Sequence, residues 1–236
     1  MNTLVISILV VLLIYTIVPN FYNRNLSKSV IKKINTKEKE IALTFDDGPD
    51  SRYTLQLLKI LKNNNVKCTF FLVAERILKN KKAFQKIIED GHNVGVHSYN
   101  HKSAWLSLPN KTKKDFYKSI MTFNKLGEDV KYFRPPWGTF NLLTKYYANK
   151  CNLKTILWTK NAKDWRKSTS SEDIINRLLK DIKNGDIIVL HDCNGKKDTP
   201  ANVLKALEVV IPKLKKEGYK FVTIDEVFGG VKGEVS

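Results

Sequence analysis

Ile41-Ala42-Leu43-Thr44-Phe45-Asp46-Asp47-Gly48-Pro49 is the stretch from which the fold can be read. A short, nearly all-apolar run that stops at Asp-Asp-Gly-Pro reads as a strand buried on both faces and ended by a turn. The pattern repeats outward. A helix fits Tyr53 to Lys62, with Leu55, Leu58 and Leu61 on one face, followed by a strand at Val66 to Val73, a helix across Lys82 to Glu89 and a strand at Asn93 to Val96. Beyond these, Thr112 to Leu126 predicts a helix, Lys131 to Phe133 a short strand, Asn141 to Lys150 a helix and Lys154 to Trp158 a strand. Thr169 and Glu172 have capping-box spacing for the next helix and Gly185 closes its far end. Asp186 to Leu190 is then a buried strand, Ala201 to Lys216 a helix and Tyr219 to Val222 a last strand. About seven strands alternating with helices predict one α/β domain with parallel strands.

A chain of 236 residues that is 42% hydrophobic can bury a core, which excludes a disordered or fibrous polypeptide. Lys and Arg number 41 against 23 Asp and Glu, a formal net charge of +18, so partners met through charge are anionic. The three cysteines, Cys68, Cys151 and Cys193, lie far apart with no CxxC pair, which disfavours a disulfide scaffold or a thiolate zinc site.

Residues 3 to 22 carry no charge and approach the ~20 residues that span a bilayer. No Ala-x-Ala-like site follows and no Lys or Arg precedes the run, so residues 1–22 read as an uncleaved transmembrane anchor rather than a signal peptide. A core helix would show a polar face, and the run from Thr3 to Val18 offers only Thr3, Ser7 and Thr16. Residues 23–37 read as a basic tether and residues 38–236 as the folded domain. Residues 24 to 40 hold six Lys or Arg against Glu38 and Glu40, which by the positive-inside rule places this flank in the cytoplasm. That disagrees with the extracytoplasmic domain that the chemistry below favours.

Polar residues mark the strand ends, where α/β domains gather catalytic groups. Asp46 and Asp47 are adjacent carboxylates that repel unless a cation offsets them, although the same residues fit an ordinary Asp-Gly-Pro turn. His97 and His101, four apart, fall on one side of a helical turn and could share a metal; one capping and one surface His would read the same. Arg134 precedes Pro135-Pro136-Trp137-Gly138 in a stiff loop and could clamp a carboxylate, and Asp164-Trp165 could be no more than a capped turn. His191, directly after a buried run, suits a general acid or a satisfied core histidine, and His92 reads as structural.

Thr44-Phe-Asp-Asp-Gly-Pro49, His97-Ser-Tyr-Asn-His101, Arg134-Pro-Pro-Trp-Gly138, Asp164-Trp165 and Leu190-His-Asp192, in this order, resemble the five motifs of the polysaccharide deacetylase family, the NodB-homology domain. The resemblance covers roughly residues 38 to 228. It implies a distorted (β/α) barrel and metal-dependent removal of acetyl groups from sugars. It further implies that Asp47, His97 and His101 bind Zn²⁺ or a similar divalent ion such as Co²⁺, that Asp46 is the general base and His191 the general acid, and that Arg134 holds Asp46 while Asp164 orients His191. The Trp137 N–H would stabilise the oxyanion and Trp165 would wall the acetyl pocket. Two positions depart from the family pattern: Asn161 replaces an Asp often found three residues before Asp-Trp, and Val189 replaces a Leu two before the motif histidine. Both bear on the acetyl pocket or on the tuning of His191, and neither removes a metal ligand. Cys193 reads as a loop cysteine.

The expected substrate is N-acetylglucosamine of peptidoglycan or a related surface polysaccharide, with chitooligosaccharide, exopolysaccharide or acetylxylan as alternatives. A catalytically silent basic binding module is the alternative of another class. Nucleic-acid binding is not expected, because the basic residues are spread over most helices rather than interleaved with aromatics on one face.

Overall fold

The computed structural model describes residues 2–193 and 199–229. After one long helix, α1 (Thr3–Leu26), the chain alternates strands and helices. The strands are β1 (Val30–Ile31), β2 (Glu40–Asp46), β3 (Thr69–Leu72), β4 (Asn93–Val96), β5 (Tyr132–Phe133), β6 (Lys154–Ile156), β7 (Lys160–Asn161), β8 (Ile187–His191) and β9 (Lys220–Phe221). The helices are α2 (Thr54–Asn63), α3 (Ala74–Lys79), α4 (Lys81–Glu89), α5 (Pro109–Lys125), α6 (Thr144–Lys150), α7 (Ser171–Leu179), α8 (Thr199–Lys216) and α9 (Ile224–Phe228). The strands form one sheet in the order β1-β6-β5-β4-β3-β2-β8-β7, every neighbouring pair parallel, with β9 on the start of β2. The sheet curls into a distorted (β/α) half-barrel, as the family resemblance implied. Consecutive strands β6 and β7 pair at opposite ends of it, so residues 157–159 bridge the gap: Leu157 donates to Ile31 and Thr159 to Ile187.

The period of two decides what faces inward. On β2, Ile41, Leu43 and Phe45 join the large cluster under the helices. Ala42 lies with Phe71, Tyr132, Ile156 and Ile187 in a second cluster inside the curl, closed at one end by Ile34 and Ile224. Thr44 and Asp46 share the parity of Ala42, and Val189 and His191 that of Ile187. Thus the motif residues emerge above an apolar plug in line with it. Each large aliphatic so buried contributes about 1.5–3 kcal/mol.

Some expectations need correcting. On α2 the buried positions are Thr54, Leu57, Leu58 and Leu61, the i, i+3, i+4, i+7 set, while Leu55 is exposed. The capping box is Ser170 with Asp173, one residue later than read, because the Thr169 hydroxyl is already bonded to the Lys163 carbonyl. Residues 23–37 are not a free tether. Residues to Leu26 continue α1, Val30 and Ile31 pair with β6, Ile34 donates to Gly185, and Val30 and Ile34 are buried.

Candidate active site

The carboxyl ends of β2, β4, β5 and β8 open into a cleft of about 790 Å³. Parallel register sets the pairings: Asp46 is the Cα partner of both Phe71 on β3 and His191 on β8. The Asp46 carboxylate is buried and its Oδ1 accepts from Arg134 Nη1 at 2.7 Å. The same Nη1 donates to Thr44 Oγ1 at 2.7 Å, and Nη2 donates to the Leu157 carbonyl at 3.2 Å. Arg134 is wholly buried, with its guanidinium over the Phe71 ring at 4.1 Å. The inward Thr44, which the motif reading did not weigh, thus helps aim the arginine.

Asp47, His97 and His101 place one ligand atom each within 4.8 Å of one another. Asp47 Oδ1 lies 2.8 Å from His101 Nε2 and 3.4 Å from His97 Nε2. His97 Nδ1 stands 2.8 Å from the Arg134 carbonyl, an acceptor only, so Nδ1 carries the proton and Nε2 presents its lone pair to the cleft. One carboxylate and two imidazoles with converging free atoms fit a divalent ion. Burial pushes the Asp47 carboxyl up, but the facing His101 and His97 outweigh it and hold its pKa well below the ordinary value.

The two histidines do not meet on a helical turn, as their spacing had been read. Residues 97–101 form an irregular turn in which Ser98 and His101 are left-handed, Ser98 Oγ accepts from His101 N at 2.7 Å, and Asp115 accepts from Tyr99 N at 3.0 Å. Asp47 and Trp137 also have positive φ. Such conformations are costly for residues with a Cβ and persist where the surroundings impose them. Trp137 lies half exposed with its ring 4.3 Å from His101.

Across the cleft, Asp164 accepts from His191 N at 2.8 Å and both its oxygens approach His191 Nδ1, at 3.1 and 3.2 Å. Nε2 is left as the working nitrogen. Burial alone would lower the His191 pKa, but Asp164, aided by Asp47 and Asp46, raises it to about 10. Trp165 meets the His191 ring edge-on at 5.6 Å.

Eight of the ten expected site residues line the cleft, while Arg134 and Asp164 stand behind it, each holding one that does. The two positions that depart from the family pattern, Asn161 and Val189, prove to be Cα partners across β7 and β8, and both line the cleft. Cys193 also lines it, its Sγ 2.8 Å from Arg76 Nη1, and burial pushes its thiol up to about 12, so it stays protonated. His92 is buried under Cys68, whose N–H it accepts; burial pushes it down to about 4, and it remains a neutral structural group. Sequence reasoning missed Arg24, Trp158 and Thr199 in the lining. It also missed Asp192, whose buried carboxyl accepts from Thr54 Oγ1 at 2.5 Å beneath Gly48, where a Cβ would come within 2.5 Å of it.

The sequence matches the family described as polysaccharide deacetylase over residues 33–156. It is 36% identical over 197 residues to a peptidoglycan-N-acetylglucosamine deacetylase of Bacillus cereus, an alignment covering 83% of this chain and 91% of that protein. It is 35% identical to the peptidoglycan-N-acetylglucosamine deacetylase PgdA of Listeria monocytogenes, covering 81% of this chain but only 39% of the relative. Among solved structures, the Bc1960 peptidoglycan N-acetylglucosamine deacetylase superimposes with a TM-score of 0.81 at 31% identity, over 87% of this chain and 95% of that one.

Proposed function

This chain belongs to the polysaccharide deacetylase family, and on that premise we propose that it is a metal-dependent hydrolase that removes N-acetyl groups from N-acetylglucosamine residues of peptidoglycan or a related surface polysaccharide. One observation carries the reading: the Asp47–His97–His101 donors, the Arg134-held Asp46 and the Asp164-held His191 face one another in a single cleft.

Asp47, His97 and His101 would hold the ion, Zn²⁺ first and Co²⁺ as an alternative. Bound there, the ion supplies Lewis acidity, polarising the amide carbonyl and lowering the pKa of water toward ~7. Asp46 takes the proton of the attacking water, with Arg134 fixing Oδ1 so that the rest of the carboxylate serves the cleft. The Trp137 N–H, presented by its left-handed backbone, stabilises the charge developing on the acetyl oxygen. The amine leaves poorly as an anion, so His191 Nε2 delivers a proton to it while Asp164 holds Nδ1. Trp165 and Val189 enclose the acetyl methyl, and acetate and a free amine are the products.

The helix Thr3–Leu26, which contains an 18-residue window of mean hydropathy 2.5, supports a single-pass anchor, and the proposed substrate calls for the domain on the outer side, where such a polymer lies. Part of the basic flank that argues for the opposite orientation is engaged by the domain itself: Arg24 donates to the Trp137 and Gly138 carbonyls and Lys39 to the Glu217 carbonyl. Acetate release by the detergent-solubilised full chain, supplied with Zn²⁺ or Co²⁺, tests the function across peptidoglycan, chitooligosaccharides and acetylxylan. Release is expected first from peptidoglycan. Release from none of the three would leave a silent binding module.

A further inference from the structure

Helix α1 divides into two unlike halves. From Leu4 to Ile14 its large apolar side chains are all exposed, whereas from Tyr15 one face is packed against the domain: Thr16, Pro19 and Asn23 are buried, three to four residues apart. Five hydrogen bonds clamp this face to the rim of the cleft. The Tyr15 carbonyl accepts from Leu142 N at 2.8 Å, the Tyr15 hydroxyl donates to the Ser107 carbonyl at 2.9 Å, Asn20 Oδ1 accepts from Phe140 N at 3.0 Å, and Arg24 binds the Trp137 and Gly138 carbonyls. The helix widens to π geometry over Leu13–Ile17, consistent with a Tyr15 carbonyl turned toward an outside donor.

The clamp sets a length problem. The helix is N-capped by Asn2, so the unclamped part, Thr3 to Ile14, is about 18 Å long at 1.5 Å per residue, while the hydrocarbon core of a bilayer is about 30 Å thick. The outer face of the clamped half is itself apolar and exposed, at Ile17, Val18 and Phe21. Directly beside the Tyr15 contacts, the rim carries Trp105, Leu106, Leu108 and Leu142, between 48% and 84% exposed. Exposed Lys102, Lys111, Lys113 and Lys114 flank that loop, as suits anionic headgroups.

We propose that the rim formed by Trp105, Leu106, Leu108 and Leu142 is seated in the lipid bilayer, continuous with the apolar outer face of the docked helix, so that the cleft opens at the membrane surface. This placement covers every exposed apolar side chain just named and makes up the depth that the short free helix lacks. Arg24 and Trp137 belong both to the clamp and to the cleft lining, so the catalytic opening lies next to the docked helix. The glycan within reach is therefore the one held at the bilayer. That last point rests on the deacetylase reading; the seating itself does not.

The test uses the full chain reconstituted into phosphatidylglycerol–phosphatidylcholine vesicles carrying brominated acyl chains, which quench tryptophans at the bilayer, compared with Trp105→Phe. Flotation with the vesicles, together with at least a twofold smaller quenching amplitude in Trp105→Phe, is the expected result. The Leu106→Asp/Leu108→Asp double variant, altered only at exposed positions, is expected to float but to lose the Trp105 contribution. Flotation with the same quenching in Trp105→Phe would overturn the seating and leave an undocked anchor. Protection of Trp105 by chitooligosaccharide with no lipid quenching would also overturn it, marking a glycan platform instead. Failure to float would overturn the seating and the anchor together. Quenching needs no turnover, so an inactive enzyme and an unseated rim are told apart.

Discussion

Asp164 grips His191 twice, through the backbone N–H at 2.8 Å and through Nδ1 at 3.1 Å, so one carboxylate fixes both the strand end and the ring that it carries. The imidazole pKa is thereby raised to about 10 from an ordinary 6.5. A raised pKa stabilises the fold fully below pH 6.5, and the contribution is lost as pH climbs toward 10. Asp164→Asn should move the alkaline limb of acetate release down by more than one pH unit, cut the rate at least tenfold at pH 8, and flatten the fall in Tm between pH 6.5 and 10. An unchanged pH profile would show that Asp164 does not tune His191.

Asp192 predicts a slope in a lower window. Burial pushes its carboxyl up to about 7 from 3.8, against a hydrogen bond from Thr54. Between those values the folded chain holds a proton that the unfolded chain has released, so stability falls as pH rises from about 4 to 7 and levels off above. Thermal melts across pH 4–8 should show this fall in the wild type and a smaller one in Asp192→Asn. Parallel curves would mean that Asp192 is ionised in the fold throughout.

A chain begun at residue 38 should melt well below one begun at residue 27. The shorter chain loses β1 and the buried Val30 and Ile34, and large buried aliphatics cost about 2–5 kcal/mol each when cut back to alanine. The contact is also tight from the other side: Gly185 has φ +80° and a Cβ there would come within 2.1 Å of the Ile34 carbonyl, so Gly185→Ala should mimic part of the truncation. Denaturant melts of the three chains check this.

What the sequence revealed and what it hid divide along physical lines. The apolar run Ile41–Phe45 closed by Asp-Asp-Gly-Pro was enough to place Asp46 at the end of a buried strand, but a strand apolar on both faces does not say which face turns inward; the shared inward parity of Asp46 and His191 follows from the register of β2 and β8. Of the two-residue strands, β5 and β9 lie inside the apolar runs read as strands, whereas β1 sits in the basic flank and β7 is Lys160-Asn161, and neither carries an apolar pattern to register. His97 and His101 meet as expected, but through two left-handed residues that no spacing rule encodes. The docked half of α1 was hidden for another reason. Tyr15, Thr16, Pro19, Asn20 and Asn23 do form a stripe at helical spacing, yet average hydropathy masks it and bilayer length alone read the segment as a plain span.

The central claim is that Asp47, His97 and His101 hold the ion while Asp46 and His191 move protons. Metal content and acetate release, measured on the same preparations of wild type, Asp46→Asn, His191→Ala and His97→Ala, test it most directly. The account predicts that Asp46→Asn and His191→Ala keep the metal of the wild type and release at least 100-fold less acetate, whereas His97→Ala loses both. Wild-type acetate release by Asp46→Asn, or an undiminished metal content in His97→Ala, would contradict it.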